Sequence, residues 1–246
     1  MSEGLFHLPK FLVIGTQKGG TTTIQKLLEK HTAIFLPSCK ETHYFTLNWH
    51  QPTDWYKEHY LKAKKEQVCG EITPYYLFHP EAAVRIKKLI PKAKLIVLLR
   101  DPVERAISQY FHAQRHGFEK LQIKDAFDAE ELRLSNNNQY SHQKHSYLSR
   151  SKYLEQLNRY EKIFPKKNIL VLKSEDLFFK NTDIILEKIQ SFIGVKHEFL
   201  YEILPKANSG QGEKKYISED LIQELKEKLS NTTKGIKEKY KIDWGW

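Results

Sequence analysis

The sequence predicts an α/β fold with a central, mainly parallel sheet, and three observations carry that prediction. Short apolar runs alternate with helical patterns along the chain, the order expected of a parallel sheet covered on both faces. Two of the runs, KLIVLLR (94–100) and NILVLK (168–173), are apolar at consecutive positions, as strands buried on both faces are. With 246 residues, 40% of them hydrophobic, the chain can bury one sizeable core, so a single domain over 1–246 is the economical organisation.

The elements follow in order. FLVIG (11–15) reads as a strand and TTTIQKLLEK as the helix after it; AIFLP (33–37) and VCGE (68–71) read as strands, and PEAAVRIKKLI as a helix opened by Pro80. KLIVLLR leads into the helix PVERAISQYFHAQ, opened by Pro102. NILVLK leads into a helix over 182–193 that begins at Thr182 and stops at Gly194. In the last third, SEDLIQELKEKL has Ser218 and two acids at its start, a helix N-terminus, and the chain closes on IDWGW. Residues 114–152 break this rhythm: they are polar and weakly periodic, with a turn at Asn136, Asn137 and Asn138, and a connection of that length is usually functional or mobile.

Composition ranks partners without choosing one. A net charge of +10 favours an anionic ligand, nucleic acid or an anionic surface. The two cysteines, Cys39 and Cys69, lie beside strands in packing contexts, and whether they pair is open. The start, MSEGLFHLPKFLVIG, reads as neither a secretory signal nor a membrane anchor, so a soluble, cytoplasmic chain without a membrane span is expected. Oligomeric state is not readable from the sequence.

The most informative stretch is GTQKGGTTT (15–23), set between a strand and a helix. Gly15 and Gly20 have the spacing of a nucleotide triphosphate loop, but Thr21 stands where that loop has its lysine, and the lysine has moved back to Lys18. A strand, a glycine turn and a helix N-terminus still cradle an anion, because backbone N–H groups and the positive helix end point at one spot. Lys18 and the hydroxyls of Thr21, Thr22 and Thr23 add donors suited to a terminal phosphate or sulfate. At the end of KLIVLLR stands Arg100, followed by Asp101, whereas a magnesium-dependent ATPase needs an acid directly at that strand end. A cation there suits a second phosphate and a reaction with no metal.

KGGTTT after a strand, then KETHYF, GEITPYYL and RDPVERAISQYF, resembles in content and order the sulfotransferases that use 3′-phosphoadenosine 5′-phosphosulfate, nearest to the heparan sulfate sulfotransferases and their bacterial relatives. The resemblance runs from about residue 10 to the C-terminus and implies a P-loop-type three-layer fold. It makes GTQKGGTT the 5′-phosphosulfate loop, formed by Lys18, Gly19, Gly20, Thr21, Thr22 and Thr23, with Lys18 near the sulfuryl group and its bridging oxygen. Arg100 and Ser108 match the 3′-phosphate pair, a role that a planar guanidinium and a hydroxyl can fill. SRSKYLEQL resembles a segment lining the nucleotide site, here Arg150, Ser151 and Tyr153, and NSGQGEKKY offers Lys214 and Lys215 for the basic loop that closes over the 3′ phosphate.

For the acceptor side the resemblance points to Glu41 of KETHYF as general base, with His43 two residues on. If KETHYF is extended, Glu41 and His43 share one face and converge on one acceptor, while Thr42 and Tyr44 share the other. Ile72 departs from the pattern, standing where several glycan-modifying members carry a lysine; this leaves Lys40 or Lys18 more of the electrostatic role. Glu71 is placed to bridge one of those lysines or to form a buried ion pair. Within YFTLNWHQPTDWYKEHY, Trp55 and Tyr56 suit either an acceptor wall or core packing. His142 and His145 have a metal-like spacing but no further ligand pattern, and fit a polar acceptor loop, so no metal site is expected.

The expected function is metal-independent, in-line sulfuryl transfer to a hydroxyl or amine, with Glu41, Lys18 and His43 catalytic. The expected partner is a glycan, lipid or other small-molecule acceptor, entering beside residues 41–56 and 112–150, and not nucleic acid. The rival readings are a P-loop kinase or NTPase and a basic nucleic-acid-binding protein, which lacks any recognised binding motif.

Overall fold

A computed structural model describes residues 8–136, 138–178, 182–198, 217–242 and 244–246. In chain order its main elements are β1 (Phe11–Gly15), α1 (Thr21–Leu28), β2 (Ile34–Phe35), α2 (Thr53–Glu58), β3 (Val68–Ile72), α3 (Tyr75–Phe78), α4 (Ala82–Leu89), β4 (Lys94–Leu99) and α5 (Pro102–Arg115). Then come α6 (Ile123–Asp128), α7 (Glu130–Ser135), α8 (Gln139–Lys144), α9 (Tyr153–Glu161), β5 (Ile169–Lys173), α10 (Thr182–Ile193), α11 (Glu219–Lys228) and α12 (Ser230–Tyr240). They form two compact units, one of residues 1–99 with 157–207, the other of 100–156 with 208–246.

The first unit holds the sheet. Its five strands are ordered β2-β3-β1-β4-β5 and every pairing is parallel, as the strand and helix alternation requires. β1 lies at the centre, Leu12 facing Glu71 on β3 and Leu95 on β4, and all five of its residues are buried. Phe11, Val13, Ile72, Ile96 and Leu98 pack with Ile24 and Leu27 of α1 and with Ile185 and Ile189 of α10, forming the core under one sheet face. AIFLP shrinks to the two-residue β2 at the sheet edge, and the helix expected from Pro80 begins two residues later, at Ala82. Gly194 takes φ 86°, the left-handed stop of α10.

The second unit is helical. Asp101 caps α5, its carboxylate accepting from the N–H groups of Val103 (2.8 Å) and Glu104 (2.9 Å), with Pro102 in the first turn. Val103, Ile107 and Tyr110 of α5 pack with Phe127, Tyr147, Leu221 and Leu225. The stretch read as an aperiodic connection contains α6, α7 and α8, each of six residues, under two turns and too short to display a helical period. Asn138, expected in a turn, is the N-cap of α8. Ser218 caps α11 as its sequence indicates, and Trp244 of the closing IDWGW is buried.

Candidate active site

In the first unit, β1 delivers the chain into a turn that only small residues at two positions permit. A Cβ on Gly19 would lie 2.8 Å from the Leu98 carbonyl oxygen, and Gly20 sits at φ 90° with its Cβ position 2.9 Å from the Phe178 ring. Lys18 also occupies the left-handed region, at φ 70°, a conformation that costs a non-glycine residue free energy and points to a constrained loop. Ser174, just past β5, donates to the Gly19 carbonyl at 2.8 Å and holds the loop from below. The helix α1 then begins with no side-chain cap and no acid in its first turn. Its first N–H groups therefore meet no carboxylate of their own helix, which suits an anion at that end. Of the three threonines, Thr21 and Thr23 are buried and Thr22 is exposed.

KETHYF is not a strand. His43 takes φ 52°, and the chain turns there, with the Thr46 and Asn48 N–H groups both donating to the His43 carbonyl at 3.0 Å. Glu41 and His43 converge nonetheless, Oε2 to Nε2 at 3.3 Å, each side chain about a quarter to a third exposed (33% and 24%). On one side Lys40 Nζ lies 3.8 Å from Glu41 and 2.6 Å from the hydroxyl of Thr22 in the first turn of α1. On the other, the His43 ring meets the edge of Tyr75 at 5.8 Å, and Tyr75 meets His79 at 5.6 Å. Burial, then the cations Arg85 and Arg159, push the His79 imidazole down to about 4, so it stays neutral near pH 7.

Thr42, between them, points inward. Its hydroxyl donates to Glu71 Oε1 at 2.6 Å, its carbonyl accepts from Asn48 at 2.7 Å, and its side chain is buried. Glu71 is fully buried on β3 and accepts from four hydroxyls: Thr42, Thr73 (2.5 Å), Tyr76 (2.6 Å) and Tyr56. This corrects the expectation of a lysine bridge: hydroxyls, not ammonium groups, satisfy the carboxylate. Burial and the neighbouring Glu71 charge raise the Tyr56 and Tyr76 phenols well above their ordinary range, keeping both as donors. Tyr56 is thereby a core residue, stacked on Tyr44 at 4.2 Å, whereas Trp55 is only half-buried and lies against Tyr44 and His59. Ile72 packs in the core, and Cys39 and Cys69 are free thiols, the first exposed and the second buried.

In the second unit Arg100 lies just before the capped start of α5, 3.4 Å from Glu104, and Ser108 is half-buried one turn beyond Glu104. Arg150, Ser151 and Tyr153 are interior. Arg150 donates to Ser146 (2.6 Å) and to the carbonyls of His142 and Gln143, binding the end of α8. Ser151 joins Arg105 (2.7 Å) to the Pro102 carbonyl (2.7 Å), and the Tyr153 hydroxyl donates to the Arg100 carbonyl at 3.0 Å. These contacts brace Arg100 and α5 from within the protein. His145 contacts the Phe118 carbonyl and Ser141. Lys214 and Lys215 lie outside the described residues.

Thr42, Asn48 and Ser174 were not legible as site residues. Thr42 and Ser174 meet partners 29 and 155 residues away, while Asn48 reaches back six residues to the Thr42 carbonyl; only the Ser that follows the apolar NILVLK offered a signal, a hydroxyl at a strand end.

Comparison with known proteins bears on family and fold. The sulfotransferase domain family matches residues 8–241. The chain is 30% identical over 249 aligned positions to the human bifunctional heparan sulfate N-deacetylase/N-sulfotransferase 3, covering 94% of this chain and 27% of that protein. It is 36% identical over 110 residues to mouse heparan sulfate glucosamine 3-O-sulfotransferase 3A1, covering 45% and 28%, and 44% identical over 109 residues to the membrane-associated sulfotransferase kil1 of Dictyostelium discoideum, covering 43% and 23%. The chain thus spans about a quarter of the length of these curated relatives. Among solved structures, a sulfotransferase from Alicyclobacillus acidocaldarius superposes with a TM-score of 0.81 at 24% identity, over 94% of this chain and 95% of that one, which shows the shared fold. No helix among the described residues is long and apolar enough to cross a membrane.

Proposed function

Because the chain belongs to the sulfotransferase family, we propose that it moves a sulfuryl group from 3′-phosphoadenosine 5′-phosphosulfate to a hydroxyl or amine of an acceptor, with Glu41 as general base and Lys18 beside the leaving oxygen. One chain of contacts carries the proposal. Thr22, in the first turn of α1, touches Lys40; Lys40 lies beside Glu41; and Glu41 meets His43 at 3.3 Å. Lys40 thus joins the first turn of α1 to the carboxylate.

The residues fit the donor. The uncapped start of α1, the glycines whose Cβ positions are filled, and Lys18 together suit a group with one phosphate and one sulfate. Bound there, the donor supplies an activated sulfuryl group. Glu41 takes the proton of the acceptor as its oxygen or nitrogen attacks, and His43 orients that carboxylate. Lys18 places positive charge where negative charge develops on the departing oxygen. Arg100 and Ser108 are proposed for the 3′ phosphate on the motif alone.

The acceptor is proposed to be a glycan or another small hydroxyl- or amine-bearing molecule. The named relatives include heparan sulfate enzymes, and the His43 ring lies beside the base, with the Tyr75 ring against it. Ile72 lies in the core, and Lys40 lies 3.8 Å from Glu41. Incubating the protein with labelled donor and a cell extract, then identifying what becomes sulfated, tests the activity and the acceptor together. Transfer that is lost in both Lys18→Ala and Arg100→Ala, with folding retained, supports the proposal; near-normal transfer by both variants overturns it.

A further inference from the structure

The two side chains assigned above to the acceptor proton flank a residue that faces the other way. Thr42 is held at three points: its hydroxyl by Glu71 (2.6 Å) and Tyr76 (3.3 Å), its carbonyl by Asn48 (2.7 Å). Tyr76 also accepts from the N–H of Phe45 at 3.4 Å, so the same hydroxyl cluster grips the chain on the far side of His43. The centre of that cluster is Glu71, fully buried on β3, with four hydroxyls around its carboxylate. Those hydroxyls come from four places: the turn at Thr42, α2 through Tyr56, the end of β3 through Thr73, and α3 through Tyr76.

Burying a carboxylate without a cation is costly, and the neutral donors around it only offset that cost. Packing alone would be served better by an apolar residue, such as its neighbour Ile72. What the carboxylate does that an apolar side chain cannot is fix several hydroxyls by direction. His43 needs such fixing, because its backbone sits in the left-handed region at φ 52°, which an unconstrained chain leaves readily.

We infer that Glu71 is the positioning residue of the site: through the Thr42 hydroxyl it sets the turn that brings Glu41 and His43 together. The inference rests on the assignment of Glu41 as base. Glu71 touches no substrate in this account and acts through Thr42.

The test uses Thr42→Val, which keeps the shape and removes the hydroxyl, and Thr42→Ser, which restores it, beside Glu71→Gln and the reference Glu41→Gln. Crystal structures give the separation of residues 41 and 43, calorimetry gives the binding of adenosine 3′,5′-bisphosphate, and transfer from labelled donor to desulfated heparan sulfate gives kcat and KM. The Thr42→Val variant is expected to open the contact between residues 41 and 43 and to bind the bisphosphate as before. It is also expected to lose about tenfold or more in kcat at unchanged donor KM, with Thr42→Ser recovering most of it, since misplacing a reacting group by an ångström has effects of that order. A Thr42→Val protein that keeps the contact overturns the inference, whatever the acceptor. If Glu71→Gln does not fold, the Thr42 pair still decides. If Glu41→Gln turns over normally, the base assignment fails by itself, and the crystallographic separation judges the positioning role alone.

Discussion

Glu41 Oε2 and His43 Nε2 lie 3.3 Å apart on either side of an inward-pointing Thr42, so a carboxylate and an imidazole meet at the surface because the residue between them is anchored below it. The pair is a candidate for proton transfer: a base within hydrogen-bond reach of an orienting partner, both partly accessible.

Replacing Glu41 by Gln keeps the shape and removes the base. Turnover is expected to fall about 10²–10⁴-fold, the usual contribution of a positioned general base. Affinity for the bisphosphate product, read by calorimetry, should stay within about twofold of the parent, because the loop of Lys18, Gly19 and Gly20 is untouched. Equal losses of binding and turnover would make Glu41 a structural residue.

At Gly20 a methyl group meets two obstacles: φ 90° and the Phe178 ring 2.9 Å from the new Cβ. Gly20→Ala is expected to lower stability by about 1–3 kcal/mol in denaturant unfolding. It should weaken bisphosphate binding more than Gly117→Ala, which shares a positive φ of 72° but has nothing within 4 Å of its Cβ position.

In the second unit, burial works against the Glu119 carboxylate, but hydrogen bonds from Arg133, the Leu121 N–H and Tyr147 outweigh it and hold it down at about 2. A depressed carboxylate stabilises the fold above its unfolded value of 4.5, and the contribution disappears as pH falls through about 2. Arg133→Ala should therefore cost on the order of 2–3 kcal/mol near neutral pH. Urea midpoints of variant and parent should converge as the pH is lowered from about 4.5 to about 2. A gap that persists unchanged at the acid end would remove the electrostatic explanation.

Much of the scaffold was legible in the sequence because it is governed by local rules. KLIVLLR is apolar without alternation and became β4, buried at five of its six residues, whereas NILVLK became the edge strand β5, in which only Leu172 is buried, so its apolar run marked the strand but not cover on both faces. Pro102 and Ser218 marked helix starts through backbone chemistry that acts within one turn. The helices α2, α6, α7 and α8 were not legible, since six residues cannot show a 3.6-residue period.

The site divides in the same way. The turn at Lys18 could be read from glycine spacing, but the role of Thr42 could not, because its partner Glu71 is 29 residues away. Extended geometry was expected to bring Glu41 and His43 together; instead a left-handed residue does so, and no local pattern announces a histidine at φ 52°. Arg150, Ser151 and Tyr153, read as lining groups from the motif, are buried and make contacts with Ser146, the Pro102 carbonyl and the Arg100 carbonyl that the sequence did not announce.

Whether the turn at Lys18 holds a phosphosulfate or a triphosphate is decided by ligand binding. Thermal unfolding is measured with adenosine 3′,5′-bisphosphate, with the phosphosulfate donor, and with ATP and magnesium, for the parent and for Lys18→Ala. A ligand at about 100 times its dissociation constant stabilises by about 2.7 kcal/mol, enough for a clear shift in midpoint. That shift is expected with the bisphosphate and the donor, a smaller one in Lys18→Ala, and none of comparable size with ATP and magnesium. Stabilisation by ATP and magnesium alone would contradict that expectation.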